Sequence, residues 1–162
     1  MIVTLLIDTS VDNLKQNIIL CNKDEQAILK RHRVILIGDS NMKGYGVYLN
    51  LLLSNNYNLH SVTKPGSGSN ELNQTAKEEI SQLSHEDGII IFSGTNDYEL
   101  NKFSHTFHNI SRFIQTNCHI NVILMNVPFR YDLPNSASVN SSIIILNRKL
   151  KKLVKLFLIL AL

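Results

Sequence analysis

Val34-Ile35-Leu36-Ile37-Gly38-Asp39-Ser40-Asn41 is the stretch that decides how this chain is read. Four apolar residues, three of them β-branched, run without a polar break and meet a glycine. A strand covered on both faces needs such a continuous run, whereas a strand with one wet face alternates. Asp39, Ser40 and Asn41 then form a polar turn off the strand's C-terminal end. A helix is expected over Val47–Leu53, closed by the turn-prone Ser54-Asn55-Asn56.

Working outward, the same unit recurs. Asn58–Val62 reads as a second strand, and Lys64–Asn70, with Pro65, Gly66 and Gly68, as a loop. Glu71–Leu83 reads as one helix, because Leu72, Ala76, Ile80 and Leu83 fall on one face. Gly88–Phe92 is a third buried strand. Leu100, Phe103, Phe107, Ile110 and Ile114 predict a helix over Leu100–Gln115. Val122–Met125 is a fourth strand, and Val127–Ser138 a loop. Ile143, Leu146, Leu150, Leu153, Val154 and Phe157 predict a helix over Val139–Phe157. Strands alternating with helices predict an α/β fold: a parallel sheet covered by helices on both faces. The tail Phe157–Leu162 reads either as the start of a last strand or as the altered end of a truncated or frameshifted reading frame. An incomplete sheet edge would expose apolar surface and unpaired backbone.

Upstream, residues 1–31 read as an arm or leader, and 32–162 as the domain. Ile2–Ile7 has the makings of a short strand, Val11–Leu20 has weak helical spacing, and Lys23–Arg33 is charged. The chain has 162 residues, enough for one domain, and its 44% hydrophobic and 18% charged content excludes a disordered chain. A net charge of +3 dictates no partner. Arg148, Lys149, Lys151, Lys152 and Lys155 nevertheless cluster, as either a solvated helix face or a nucleic-acid footprint. Cys21 and Cys118 make neither a disulfide framework nor a metal-ligand pattern, so a reduced, cytoplasmic setting is expected. Met1–Ile7 lacks a basic leader and a cleavage site. Leu156–Leu162 falls far short of the roughly 20 residues of a membrane span. His105 and His108 are spaced like a metal pair but have no evident third ligand, so neither metal nor cofactor is expected.

In open parallel sheets, ligands bind beyond the C-terminal ends of the strands. Gly38-Asp39-Ser40, Lys64–Ser69 and Ser93–Asp97 all fall on that edge. A serine in the first turn would hold its hydroxyl out at the sheet edge. An asparagine amide such as Asn96 can donate to an oxyanion without adding charge. Each loop also has a plain structural reading, since Asp39, Ser40 and Asp97 are good helix caps. Lys64–Ser69 matches neither the P-loop nor the dinucleotide pattern.

Together, the three blocks resemble those of the SGNH (GDSL) hydrolases, a family of serine esterases, over about residues 33–157. VILIGDSN resembles the family's nucleophile block, KPGSGS its glycine block and IIFSGTNDY its asparagine block. The resemblance implies a three-layer α/β/α fold with a flavodoxin-like sheet. It also implies that Ser40 is the nucleophile, and that the Ser40 amide, Gly66 and Asn96 form an oxyanion hole. Asp39, Gly94 and Asp97 would support them. The substrate would be a small-molecule or acylated ester. VPFRYDLPNSASVN followed by LNRKLKKL is similar to esterase-like domains of arthropod proteins, some of them linked to retroelements.

Two features depart from the family. Asn41 stands where it has an aliphatic residue, and its closing Asp-x-x-His block has no counterpart here. A serine needs a base to become a nucleophile near neutral pH. His32, His60, His85, His105, His108 and His119 are not placed by the pattern to serve Ser40. Three readings stay open: an esterase whose last strand, helix and histidine are missing from this chain; a non-catalytic, Oskar-like SGNH domain binding RNA; and a degenerate gene copy without activity.

Overall fold

The computed structural model describes residues 6–7, 31–98, 103–131 and 138–160. Five strands occur there in chain order: β1 (Leu6–Ile7), β2 (His32–Gly38), β3 (Tyr57–Thr63), β4 (Gly88–Phe92) and β5 (Asn121–Met125). The helices are α1 (Tyr45–Leu52), α2 (Ser69–Thr75), α3 (Lys77–Ser81), α4 (Phe103–Thr116) and α5 (Ser138–Leu160). The four longer strands form an all-parallel sheet in the order β3-β2-β4-β5, and β1 pairs parallel to β5 at the far edge. From β2 the chain steps outward to β3, then returns across β2 to β4. The strand order therefore reverses between β2 and β4, the point at which open parallel sheets bind their ligands above the strand ends.

The core follows from the alternation of side chains across the sheet. Ile35 and Ile37 of β2, Ile89 and Ile91 of β4, and Val122 and Leu124 of β5 point to one face. Leu72, Ala76 and Ile80, then Ile110, Phe113 and Ile114 of α4, then Ile143, Leu146, Leu150 and Val154 of α5 bury them. Leu36, Phe92 and Met42 form a smaller cluster on the other face, packed by Leu49 of α1. Helices thus lie on both faces. α1 runs close over β3, since a methyl group on Gly46 would sit 2.6 Å from Cβ of Ser61.

At the N-terminal edge, buried Asp87 joins β2 to the entry of β4. It accepts the backbone N–H groups of Arg33 and Ser84, both at 2.8 Å, the Ser84 hydroxyl at 3.0 Å and the Arg33 guanidinium at 3.2 Å. Burial opposes its charge, but the hydrogen bonds from Ser84 and Arg33 outweigh it and pull the carboxyl down to about 2.

The expected single helix over Glu71–Leu83 is instead two helices, broken at Ala76, whose φ and ψ are −106° and 21°. Its apolar face is as read: Leu72, Ala76, Ile80 and Leu83 are all buried. The break follows Thr75, whose hydroxyl donates to the carbonyl of Glu71 at 2.9 Å and competes with the helix ladder. The tail reading as a last strand is also corrected, because α5 continues as helix through Leu160. Leu150 and Val154 keep the helical stripe against the sheet up to that last stretch. Of residues 1–31, only Leu6, Ile7 and Arg31 are described. Val11–Leu20, Cys21 and Leu100 lie outside the described residues.

Candidate active site

Three loops leave the sheet at its C-terminal edge, after β2, β3 and β4. The first begins with Asp39, fully buried, whose Oδ1 accepts the backbone N–H of Asn41 at 2.9 Å. That bond caps the short 3₁₀ turn Ser40–Met42, which tucks Met42 under the sheet and leaves Ser40 exposed. Gly38 is needed here, because a Cβ would lie 2.3 Å from Cγ of Met42. Asp39 Oδ2 has no hydrogen-bond partner among the described residues, and neither have the buried hydroxyls of Ser93 and Thr95. Burial pushes the Asp39 carboxyl up from its ordinary value. Hydrogen bonding from Asn41 opposes the rise, and the charge of Asp97 adds to it.

The second loop turns at Lys64-Pro65-Gly66-Ser67, where Ser67 N–H donates to the Lys64 carbonyl at 3.3 Å. Proline at the second position and glycine at φ 71° at the third are the requirements of a type II turn. The turn is anchored to the first strand by the Lys64 N–H, which donates to the Gly38 carbonyl at 3.0 Å.

The third loop holds the second. Asn96 donates its amide to the Ser67 carbonyl at 3.2 Å. Asp97, 1% exposed, accepts the Ser69 N–H at 2.9 Å through Oδ1 and the Thr106 hydroxyl at 2.7 Å through Oδ2. Asp97 therefore caps α2 from across the sheet edge and fixes the first turn of α4. Asn109 of α4 completes the tie by donating to the Ser69 hydroxyl at 3.0 Å. Gly94, at φ 118°, lets the loop pass under Thr106 and Val127, each of which would lie 3.0 Å from an added Cβ.

Of the residues singled out from the sequence, Asn96 and Asp97 bind the Lys64–Ser69 loop directly, and the charge of Asp97 reaches Asp39 and raises its carboxyl. Ser40 and Gly66 are exposed neighbours of these contacts, and neither N–H has a hydrogen-bond acceptor among the described residues. Asn96 keeps a second amide hydrogen beyond its bond to Ser67. No histidine among the described residues hydrogen-bonds Ser40. His32, His85 and His119 lie at the opposite edge, at or before the starts of β2, β4 and β5. His60 is exposed on β3, and His105 and His108 are exposed on α4.

Sequence reading did not find Ser69, Thr106 or Asn109 as parts of this network. Their partners are 9 to 40 residues away in the chain, beyond any local pattern. A separate groove of about 550 Å³ lies between α2–α3 and α4, lined in part by Lys77, Arg112, Phe113 and His119. Ser40, Gly66 and Asn96 do not line it. Among the described residues no cluster of His, Cys, Asp and Glu could hold a metal ion, and no helix is long and apolar enough to cross a membrane. No protein-family model matches the chain, and no curated protein matches it closely in sequence.

Proposed function

We propose that this chain is a serine-hydrolase-type domain of the SGNH kind, with a flavodoxin-like three-layer arrangement and an acyl-ester site at the C-terminal edge of its sheet. One observation carries the reading: the loops after β2, β3 and β4 leave the sheet at one edge, where the loop after β4 holds the Lys64–Ser69 loop through Asn96 to Ser67 and Asp97 to Ser69.

In this reading the Ser40 hydroxyl attacks the ester carbonyl carbon, and the carbonyl oxygen gains negative charge. The Ser40 N–H, the Gly66 N–H and the second amide hydrogen of Asn96 stabilise it. The Ser40 proton goes to a base, the alcohol leaves, and water then releases the acyl group from Ser40. With no histidine bonded to Ser40, turnover by this chain is slow, and a soluble base can stand in for the missing partner. The exposed, unpaired thiol of Cys118 accords with a reducing, cytoplasmic setting.

The test is hydrolysis of a short-chain p-nitrophenyl ester with increasing imidazole, beside Ser40→Ala. The expected result is an imidazole-dependent rate above the variant's. Equal rates in the two proteins would remove the esterase reading. A second reading, RNA binding, rests on α5, where Arg148, Lys149, Lys151, Lys152 and Lys155 are all exposed. Such binding would weaken steeply with salt, because phosphate contacts release counterions.

A further inference from the structure

The groove between α2–α3 and α4 takes no part in the acyl-ester reading, since Ser40, Gly66 and Asn96 do not line it. Its volume of about 550 Å³ lies within the roughly 300–1,000 Å³ that small-molecule sites occupy. α2 and α4 pack together on the sheet face opposite α1, and the seam presents one side of each. α4 contributes Asn109, Arg112 and Thr116, at three- and four-residue spacing. The other wall contributes Asn70, Gln74 and Lys77, and the helix break at Ala76 falls between the last two. Ile80 and Phe113, both buried, give the groove an apolar floor.

Charge sets this seam apart. Lys77 and Arg112 line it, and among the described residues no Asp or Glu does. Glu78 and Glu79 follow Lys77 directly, yet neither lines the groove. A solvated helix face ordinarily mixes the two signs, with carboxylates three or four positions from the cations. No carboxylate stands at those distances from Lys77 or Arg112, and α4 carries no acidic residue at all. Neither cation forms an ion pair among the described residues. Two like charges over an apolar floor focus positive potential in the cleft and draw an anion into it. The remaining lining narrows the choice of anion. Every polar side chain there can donate a hydrogen bond, including the ring of His119 at the end toward β5. A carboxylate brings one charge to two cations, whereas a phosphate monoester brings nearly two, and its oxygens suit the fork of a guanidinium. A bare phosphate would leave most of the volume empty. The carboxamides of Asn70 and Gln74 both donate and accept, which suits a polar body such as a sugar or a base.

We propose that this groove binds a small organic phosphate monoester, with the phosphate on Lys77 and Arg112 and the polar body toward Asn70 and Gln74. The site is independent of the esterase reading. Binding is expected to be unchanged in Ser40→Ala, and neither outcome of the ester assay bears on it.

The test titrates the isotope-labelled full chain with adenosine monophosphate, ribose phosphate and inorganic phosphate, and follows backbone amide shifts by NMR. Adenosine is the phosphate-free control. Saturable shifts are expected in α3 and the C-terminal half of α4 with all three phosphates, with both monoesters binding more tightly than inorganic phosphate, and none with adenosine. Lys77→Ala and Arg112→Ala change exposed helix positions, so both variants are expected to fold. Each should weaken monoester binding about tenfold, the worth of one hydrogen bond to a charged group. Arg112→Lys should recover part of that loss, because it keeps the charge without the fork. Shifts confined to the exposed lysines of α5 would overturn the inference. So would an affinity unchanged in the double alanine variant, adenosine bound as tightly as its monophosphate, inorganic phosphate bound as tightly as the monoesters, or no saturable shift with any phosphate at millimolar concentration.

Discussion

At the scale of single residues, two buried carboxyls respond to pH in opposite ways. Asp87 is held at about 2 by its hydrogen bonds, below the ordinary 3.8. Its contribution to stability is complete above the unfolded value and is lost as pH falls through about 2. Asp87→Ala strands the N–H groups of Arg33 and Ser84 and should cost about 2–3 kcal/mol near neutral pH. Urea unfolding of the variant should then change less with pH than the parent between about 4 and 2, the interval in which Asp87 titrates. Asp39 has the reverse sign, since burial raises it above 3.8. Its favourable contribution is present below that value and is lost as pH rises through the folded value. Asp39→Asn can still accept the Asn41 N–H and carries no charge to bury. Its stability relative to the parent should therefore increase between about pH 4 and neutrality, in the same urea titration. These residues were only partly legible in the sequence. Asp39 and Asp97 stood out as caps, but Asp97 caps α2 from 28 positions away, and its bond to Thr106 has no local signal. Asp87 was not singled out: its bonds from Ser84 are local, but the partner that makes it a link between strands, Arg33, is 54 residues distant.

At the scale of elements, the strands were legible because a strand buried on both faces must be an unbroken apolar run. Gly88–Phe92 matches its expected bounds, and β2, β3 and β5 differ from theirs by one or two residues. The helix break at Ala76 was hidden, since its apolar stripe continues through the break and only a side-chain bond from Thr75 marks it. The pairing of Leu6–Ile7 with β5 was equally hidden, because two residues carry no periodicity and the partner strand is distant in the chain. The loop after β4 depends on Gly94. Gly94→Ala places a Cβ 3.0 Å from Thr106 and Val127 at a φ of 118°, and should cost about 1–3 kcal/mol in thermal or urea unfolding. Because the same loop holds Asn96, the variant should also lose imidazole-dependent ester hydrolysis. On α5, buried Leu150 and Val154 alternate with exposed Lys149, Lys151, Lys152 and Lys155. That pattern is what a solvated helix face requires. Replacing the four lysines by Ala should leave the melting temperature nearly unchanged. Filter binding of single-stranded RNA at several salt concentrations should find no affinity that the substitution removes, and a salt-dependent affinity lost in the variant would favour the RNA reading.

At the scale of the whole molecule, the order β3-β2-β4-β5 places a reversal of strand order between the two strands whose loops carry Ser40 and Asn96. The edge was therefore predictable from strand–loop–helix alternation, while the strand order itself became visible only in the fold. At that edge the loop after β4 is bonded to the Lys64–Ser69 loop, and that loop is anchored in turn to Gly38 at the end of β2. The central claim is that this edge is an acyl-ester site with Ser40 as nucleophile, and acylation reads that claim more directly than turnover does. The protein would be incubated with p-nitrophenyl acetate and imidazole, quenched in acid, and mapped by peptide mass spectrometry. The account predicts an acetyl group on Ser40, absent in Ser40→Ala and reduced in Asn96→Ala by about 10²-fold in rate of formation, the effect of losing one oxyanion donor. Acetylation confined to lysines, or Ser40 acetylated at the same rate without Asn96, would contradict it.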